Sequence, residues 1–231
     1  QEMTYGANND GAMHQFAELV LGPGAAWCRE SVQTGDIPNG ILSRFPILEC
    51  GEWNDTRVTN REFAYARIDV PGPRDLWAVS VHLLTDTTRQ PLQAAELVAY
   101  IQAHVPDGDF LVIGGDLNTD SAMEPALAAL EAVIEVFPQP ADPWGNTATN
   151  TNRLIGLDGG TTLTGPWDPQ RNRPLDWVLP DMDLLALEVP VVLTNGITTY
   201  TLPSGLVVDT RVFDETTIGM IAPARLTDSN A

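Results

Sequence analysis

Lysine is missing from this chain of 231 residues: all twelve basic residues are arginine, against 31 aspartates and glutamates, for a formal charge of −19. A field of that sign excludes tight non-specific binding to duplex nucleic acid unless divalent cations bridge the two surfaces. Long apolar runs are also missing. No stretch of about 18 residues is apolar enough to suggest a membrane-spanning helix. Histidine is scarce, at three residues, and cysteine scarcer, at two, Cys28 and Cys50. Neither cysteine has a second Cys or a His at zinc-binding spacing. They can form one disulfide in an oxidising compartment, but two cysteines alone do not establish it. The acidity, the lack of lysine and this possible bridge point to a secreted or periplasmic protein.

What is present suits a globular fold. The hydrophobic fraction is 43%, and the length is enough for a sizeable core. Apolar spacing predicts helices over 11–21, 90–104 and 122–136. Residues 39–48 read as a strand broken by a turn at Pro46. Residues 63–70 and 76–83 read as an antiparallel hairpin around Pro71-Gly72-Pro73. A strand at 110–113 follows the turn Pro106-Asp107-Gly108, and further strands are expected at 175–179 and 184–193. Residues 138–173 are irregular and too long for a passive connector. Strands dominate, with hairpins and with helices between some of them, so a layered α/β protein with mixed or antiparallel sheets is expected rather than a doubly wound parallel one.

The most informative stretch is Ile113-Gly-Gly-Asp-Leu-Asn118. Side chains alternate along an extended backbone, so Asp116 and Asn118 are expected to project from the same face, roughly 6.5–7 Å apart along it. The two glycines permit unusual dihedrals and close approach of a ligand. A carboxylate and an amide at the mouth of a buried strand suit a metal, a water nucleophile or a phosphate. The competing interpretation is an ordinary Asx turn. His82 ends the apolar run Ala78-Val-Ser-Val-His, where a hydrogen-bonded core histidine is the ordinary occupant. Asp176, within Leu175-Asp-Trp-Val-Leu179, needs a partner if buried: a metal, a histidine, or Arg171 or Arg173. Glu2, taken alone, is a terminal residue.

The order Gln1-Glu2, Asn39-Gly-Ile-Leu-Ser-Arg-Phe-Pro-Ile47, Ser80-Val-His-Leu83, Gly114-Gly-Asp-Leu-Asn118 and Leu175-Asp-Trp-Val-Leu179 resembles the endonuclease/exonuclease/phosphatase superfamily. Any one of these motifs is weak; the ordered set is specific and spans essentially the whole chain. The resemblance implies an α/β four-layered sandwich, with two packed mixed or antiparallel sheets flanked by helices. It implies a Mg²⁺-dependent phosphoesterase, with Mn²⁺ or Ca²⁺ as alternative ions, acting by in-line attack of water on a phosphodiester or phosphomonoester. By position, Glu2 and Asp116 match metal-binding carboxylates, and Asp116 also matches the group that positions or deprotonates the water. Asn118 matches the amide that holds the scissile phosphate, His82 the histidine that contacts that phosphate, and Asp176 the carboxylate that orients a second histidine. Arg44 resembles a position that touches substrate phosphate.

Nucleic acid is the favoured substrate and a monomer the expected state. A sphingomyelinase-like or small-molecule phosphodiesterase or phosphatase is the alternative, with Trp144 and Trp167 as candidates for membrane contact. A catalytically dead binding module of the same fold is the rival from another class. Two departures from the family pattern stand out. No strand with an Asn precedes Gln1, and no terminal Ser-Asp-His closes the chain, since His14 and His104 fall in helical segments. Residues 1–231 are therefore expected to be a single domain lacking its first and last strands, of poor stability and little activity by itself. The other interpretation puts Ser229 at the histidine position of an inactive relative.

Overall fold

The computed structural model describes residues 3–31, 36–142, 145, 147–149, 173–194 and 199–205. Glu2, Trp144, Trp167 and Ser229 fall outside these. Two compact units are present, one made of residues 1–136 and 176–186, the other of 137–175 and 187–231. The first carries the candidate site.

Its main sheet has five strands: β3 (Ile47–Trp53), β4 (Phe63–Ile68), β5 (Leu76–His82), β6 (Phe110–Asp116) and β7 (Asp176–Pro180), in that spatial order. All neighbours are antiparallel except β5 and β6. That parallel pair is bridged by helix α2 (Gln90–His104), as a parallel connection requires. Strands β1 (Ala26–Arg29) and β2 (Gly40–Ser43) form a separate antiparallel pair.

Alternation along the strands sorts side chains into layers. One face sends Phe63, Trp77, Val79, Val81, Leu111, Ile113, Trp177 and Leu179 against Ala94, Leu97 and Ile101 of α2 and Leu127 and Leu130 of α3 (Pro125–Leu130). This is the principal core. A substitution such as Leu97→Ala there removes a fully buried side chain and costs about 2–5 kcal/mol. The other face packs Ala66, Ile68, Leu76 and Ala78 against Cys28 and Ile41 of the two-stranded sheet. Helix α1 (Asp10–Leu21) covers that sheet in turn, setting Met13 and Phe16 on Trp27 and Leu42. The order helix, sheet, sheet, helix is the four-layered α/β sandwich expected. Cys28 and Cys50 are joined in a disulfide, with Cα atoms 5.6 Å apart, which fastens β1 to the edge strand β3.

Local chemistry fixes the element ends. Asn9 caps α1, its Oδ1 accepting from Ala12 N at 3.0 Å. Pro91 lies in the first turn of α2, where its missing N–H is harmless. Two expectations fail. The helix over 122–136 is confined to Pro125–Leu130, because Pro125 sets the start and the chain breaks into turns after Leu130. The strand over 184–193 is instead α4 (Met182–Leu185), followed after Pro190 by β8 (Val191–Thr194). Asp181 nucleates α4, its Oδ1 accepting from Leu184 N at 2.6 Å. The second unit contains β8 paired antiparallel with β9 (Thr199–Leu202). No helix among the described residues is long and apolar enough to cross a membrane.

Candidate active site

Three of the sequence-derived residues form a row. The β5–β6 register sets His82 beside Asp116, and the β6–β7 register sets Asp116 beside Asp176. In-register neighbours share a sheet face, and this face is opposite the α2–α3 layer. His82 Nε2 stands 3.8 Å from Asp116 Oδ2, with side-chain exposures of 11% and 22%. That separation is longer than a direct hydrogen bond, yet close enough for strong attraction when the imidazole is protonated.

Asn118 joins the row by a turn and not by the extended geometry expected. Strand β6 ends at Asp116, and Asn118 adopts a left-handed backbone with φ 53°, which Asn tolerates better than most residues. Its N–H donates to Asp116 Oδ1 at 2.8 Å, closing an Asx turn. Its side-chain nitrogen donates to Leu83 O at 2.8 Å. So the Asx turn forms, and it carries the amide back to the strand end beside Asp116. Gly115 is required here. It has φ +146°, and a Cβ on it would lie 1.9 Å from Val81 O.

Backbone around His82 is pinned from the segment just before β4. Arg61 Nε donates to His82 O and its terminal nitrogen to Leu83 O at 3.3 Å. Beside Arg61, Glu62 N donates to the carboxylate of Glu30, which also accepts from Asn39 N. Glu30 is 4% exposed, and burial, reinforced by the nearby Glu52 and Glu62 charges, pushes its carboxyl up to about 7 against those two hydrogen bonds. Burial likewise raises Asp55 and Glu62. Trp177 Nε1 donates to Thr119 Oγ1 at 2.8 Å, linking the loop after Asp116 to β7.

Arg44 is not brought to this site. It follows β2 at the opposite end of the main sheet, where Pro46 O accepts from Asp69 N beyond the end of β4. Its exposed guanidinium donates to Leu21 O at 3.4 Å, at the C-terminus of α1. The phosphate role that resemblance gave it has no support in this placement. Arg61, Gln90 and Gln93 were missed. The signal for the glutamines was present: two amides at i and i+3 on the apolar stripe of a helix.

Among the described residues no three Cys, His, Asp or Glu side chains gather as a metal site. The row nevertheless suits a hard cation. Carboxylate oxygens are the ligands Mg²⁺, Ca²⁺ and Mn²⁺ prefer.

The chain matches the Endonuclease/Exonuclease/phosphatase family over residues 1–204 and belongs to that family. Its members act on phosphoester bonds and generally depend on divalent metal ions. No curated protein matches the sequence. Among solved structures, the chain is similar to a β-hairpin deletion mutant of beta toxin from Staphylococcus aureus, with 17% identity over 67% of this chain and 59% of that one, TM-score 0.45. It is similar to a mannosyl-6-phosphatase from Bacteroides thetaiotaomicron, at 12% identity over 79% and 74% of the two chains, TM-score 0.46. A third is humanized TDP2 of D. rerio, at 16% identity over 74% and 65%, TM-score 0.46. The chain thus spans 59% to 74% of the length of these structures.

Proposed function

We propose that this protein is a Mg²⁺-dependent phosphoester hydrolase that cleaves phosphodiesters by in-line attack of water, with nucleic acid as the favoured substrate. The observation that carries the proposal is the row His82, Asp116 and Asp176 at adjoining strand ends, with Asn118 folded back beside it.

Each side chain has a part consistent with its surroundings. Asp116 Oδ1 is held by the Asn118 N–H, which leaves Oδ2, on the His82 side, to accept a proton from water. Asn118 Nδ2 gives one proton to Leu83 O and keeps a second for a phosphate oxygen. His82 offers an imidazole N–H to the charge that builds on the phosphate. Asp176 adds negative charge beside Asp116 and, by family position, orients a histidine. Asp116 and Glu2 would hold the cation, which supplies charge neutralisation of the phosphate and its leaving oxygen. The Cys28–Cys50 disulfide and the acidic, lysine-free composition support a secreted or periplasmic location.

The test is hydrolysis by the full-length protein, with Mg²⁺ or with chelator, of plasmid DNA, RNA, sphingomyelin and a generic phosphodiester. Chelator and Asp116→Ala should each remove the activity, the latter by about 10²-fold or more. Hydrolysis of sphingomyelin alone would move the substrate to lipid. No metal-dependent hydrolysis of any of them would leave a binding module, and an unchanged rate in Asp116→Ala would overturn the site.

A further inference from the structure

Helix α2 turns two glutamines into the protein interior. Gln90 is 1% exposed and Gln93 is 0% exposed. A buried primary amide is costly unless its donors and acceptor are met, so the partners of these two side chains are informative. Gln93 Oε1 accepts from Leu84 N at 2.7 Å, and its nitrogen donates to Asp55 Oδ2 at 2.5 Å. Gln90 reaches elsewhere. Its Nε2 donates to Leu117 O at 2.6 Å and to Asn118 O at 3.0 Å.

Those two carbonyls belong to the residues directly after Asp116. The turn they form contains the left-handed Asn118, a backbone state that persists only where its surroundings over-determine it. Two of the bonds that fix it come from site residues: Asn118 N to Asp116 Oδ1, and Asn118 Nδ2 to Leu83 O. The third anchor is the Gln90 amide. It grips the carbonyl side of the turn from the opposite sheet face, out of reach of substrate.

We propose that Gln90 is a positioning residue. By holding the carbonyls of Leu117 and Asn118 it sets the direction in which the Asn118 amide and the Asp116 carboxylate face the phosphate. The catalytic consequence rests on the hydrolase function proposed above; the structural consequence does not. Reacting groups displaced by about 1 Å can lose about 10²-fold in rate. Leu97 is the matched comparison, being equally buried on the same helix but an apolar side chain that makes no hydrogen bond to the Asp116 turn.

The test uses the full-length protein with bis(p-nitrophenyl) phosphate and Mg²⁺, and hydrogen exchange of the peptide covering residues 114–120. Gln90→Met keeps the length of the side chain and removes the donor. It should lower kcat about 10- to 100-fold with KM within about threefold, and speed exchange of the Asn118 N–H by roughly tenfold or more. Leu97→Ala should reduce thermal stability at least comparably, yet keep kcat within about threefold and leave exchange at 114–120 unchanged. Gln90→Glu supplies a second variant should Gln90→Met not fold. Its ionised carboxylate repels both carbonyls, whereas its protonated form donates to one. Its kcat relative to wild type should therefore rise as pH falls from about 8 to about 5.5, through the titration of a buried Glu. Normal kcat and normal exchange in Gln90→Met would overturn the proposal. So would equal effects in Leu97→Ala, or, where Gln90→Met does not fold, a flat pH ratio in Gln90→Glu. A wild-type protein without hydrolase activity would sink the proposed function, and exchange alone would then decide the role of Gln90.

Discussion

Trp177 hands its indole N–H to the hydroxyl of Thr119 across 2.8 Å, inside the core and 58 residues away in sequence. The bond joins the strand that begins at Asp176 to the loop that carries Asn118, so two parts of the candidate site share one buried contact. Trp177→Phe keeps an aromatic ring and deletes the donor. The expected destabilisation is about 1–3 kcal/mol, read from urea unfolding, with a drop in kcat at temperatures where the variant stays folded. Full stability together with full kcat would show that the contact holds nothing in place.

Gly115 has no room for a side chain. Its φ of +146° and the 1.9 Å approach of a built Cβ to Val81 O predict that Gly115→Ala is destabilising by about 3 kcal/mol or more. The clash is with backbone of the neighbouring strand, which cannot swing aside as a flexible side chain would. Denaturant melts that agree with wild type to within about 1 kcal/mol would contradict the strand-end geometry.

The disulfide between Cys28 and Cys50 closes a loop with a sequence separation of 22. On chain-entropy grounds, replacing both cysteines by alanine should lower stability by about 3 kcal/mol. Reductant should lower the unfolding midpoint of wild type and leave that of the double variant unmoved. An equal midpoint shift in both proteins would argue against a native bridge.

Stability should fall as pH rises from about 4.5 to about 7. The carboxyl of Glu30 lies at about 7 in the folded protein against an ordinary 4.5. Within that window the native state binds more protons than the unfolded chain, so raising pH favours unfolding. Asp55 and Glu62, raised by burial as well, act with the same sign. Glu30→Gln should flatten the decline measured by urea midpoints across this range. A decline of undiminished slope would place its origin elsewhere.

Much of this molecule was legible because the relevant signals are local. Helix α2 matches its expected span of 90–104, since apolar spacing, Pro91 and Pro106 mark it without help from tertiary contacts. His82 and Asp116 stood out as polar residues ending apolar runs, and parallel pairing sets them side by side. What stayed hidden depends on partners distant in sequence. Ala122 to Val136 has helical spacing throughout, but Pro125 and the turns after Leu130 shorten the helix. Residues 184–193 look like one apolar strand, and Asp181 capping a single helical turn is what divides them. Arg44 sits in a suggestive motif, yet it follows β2 at the end of the main sheet away from the row. Arg61, with no motif around it, holds the carbonyls of His82 and Leu83. Gln90 and Gln93 read as polar interruptions of an amphipathic helix until their partners are seen.

The single parallel pairing in the main sheet also orders the site in time. His82 and Asp116 are 34 residues apart and meet through one strand–helix–strand crossover, whereas Asp176 follows Asp116 by a further 60. Closing the shorter loop costs less entropy, and during synthesis its residues leave the ribosome first. The histidine–carboxylate pair is therefore within reach of assembly while the segment bearing Asp176 is still being made.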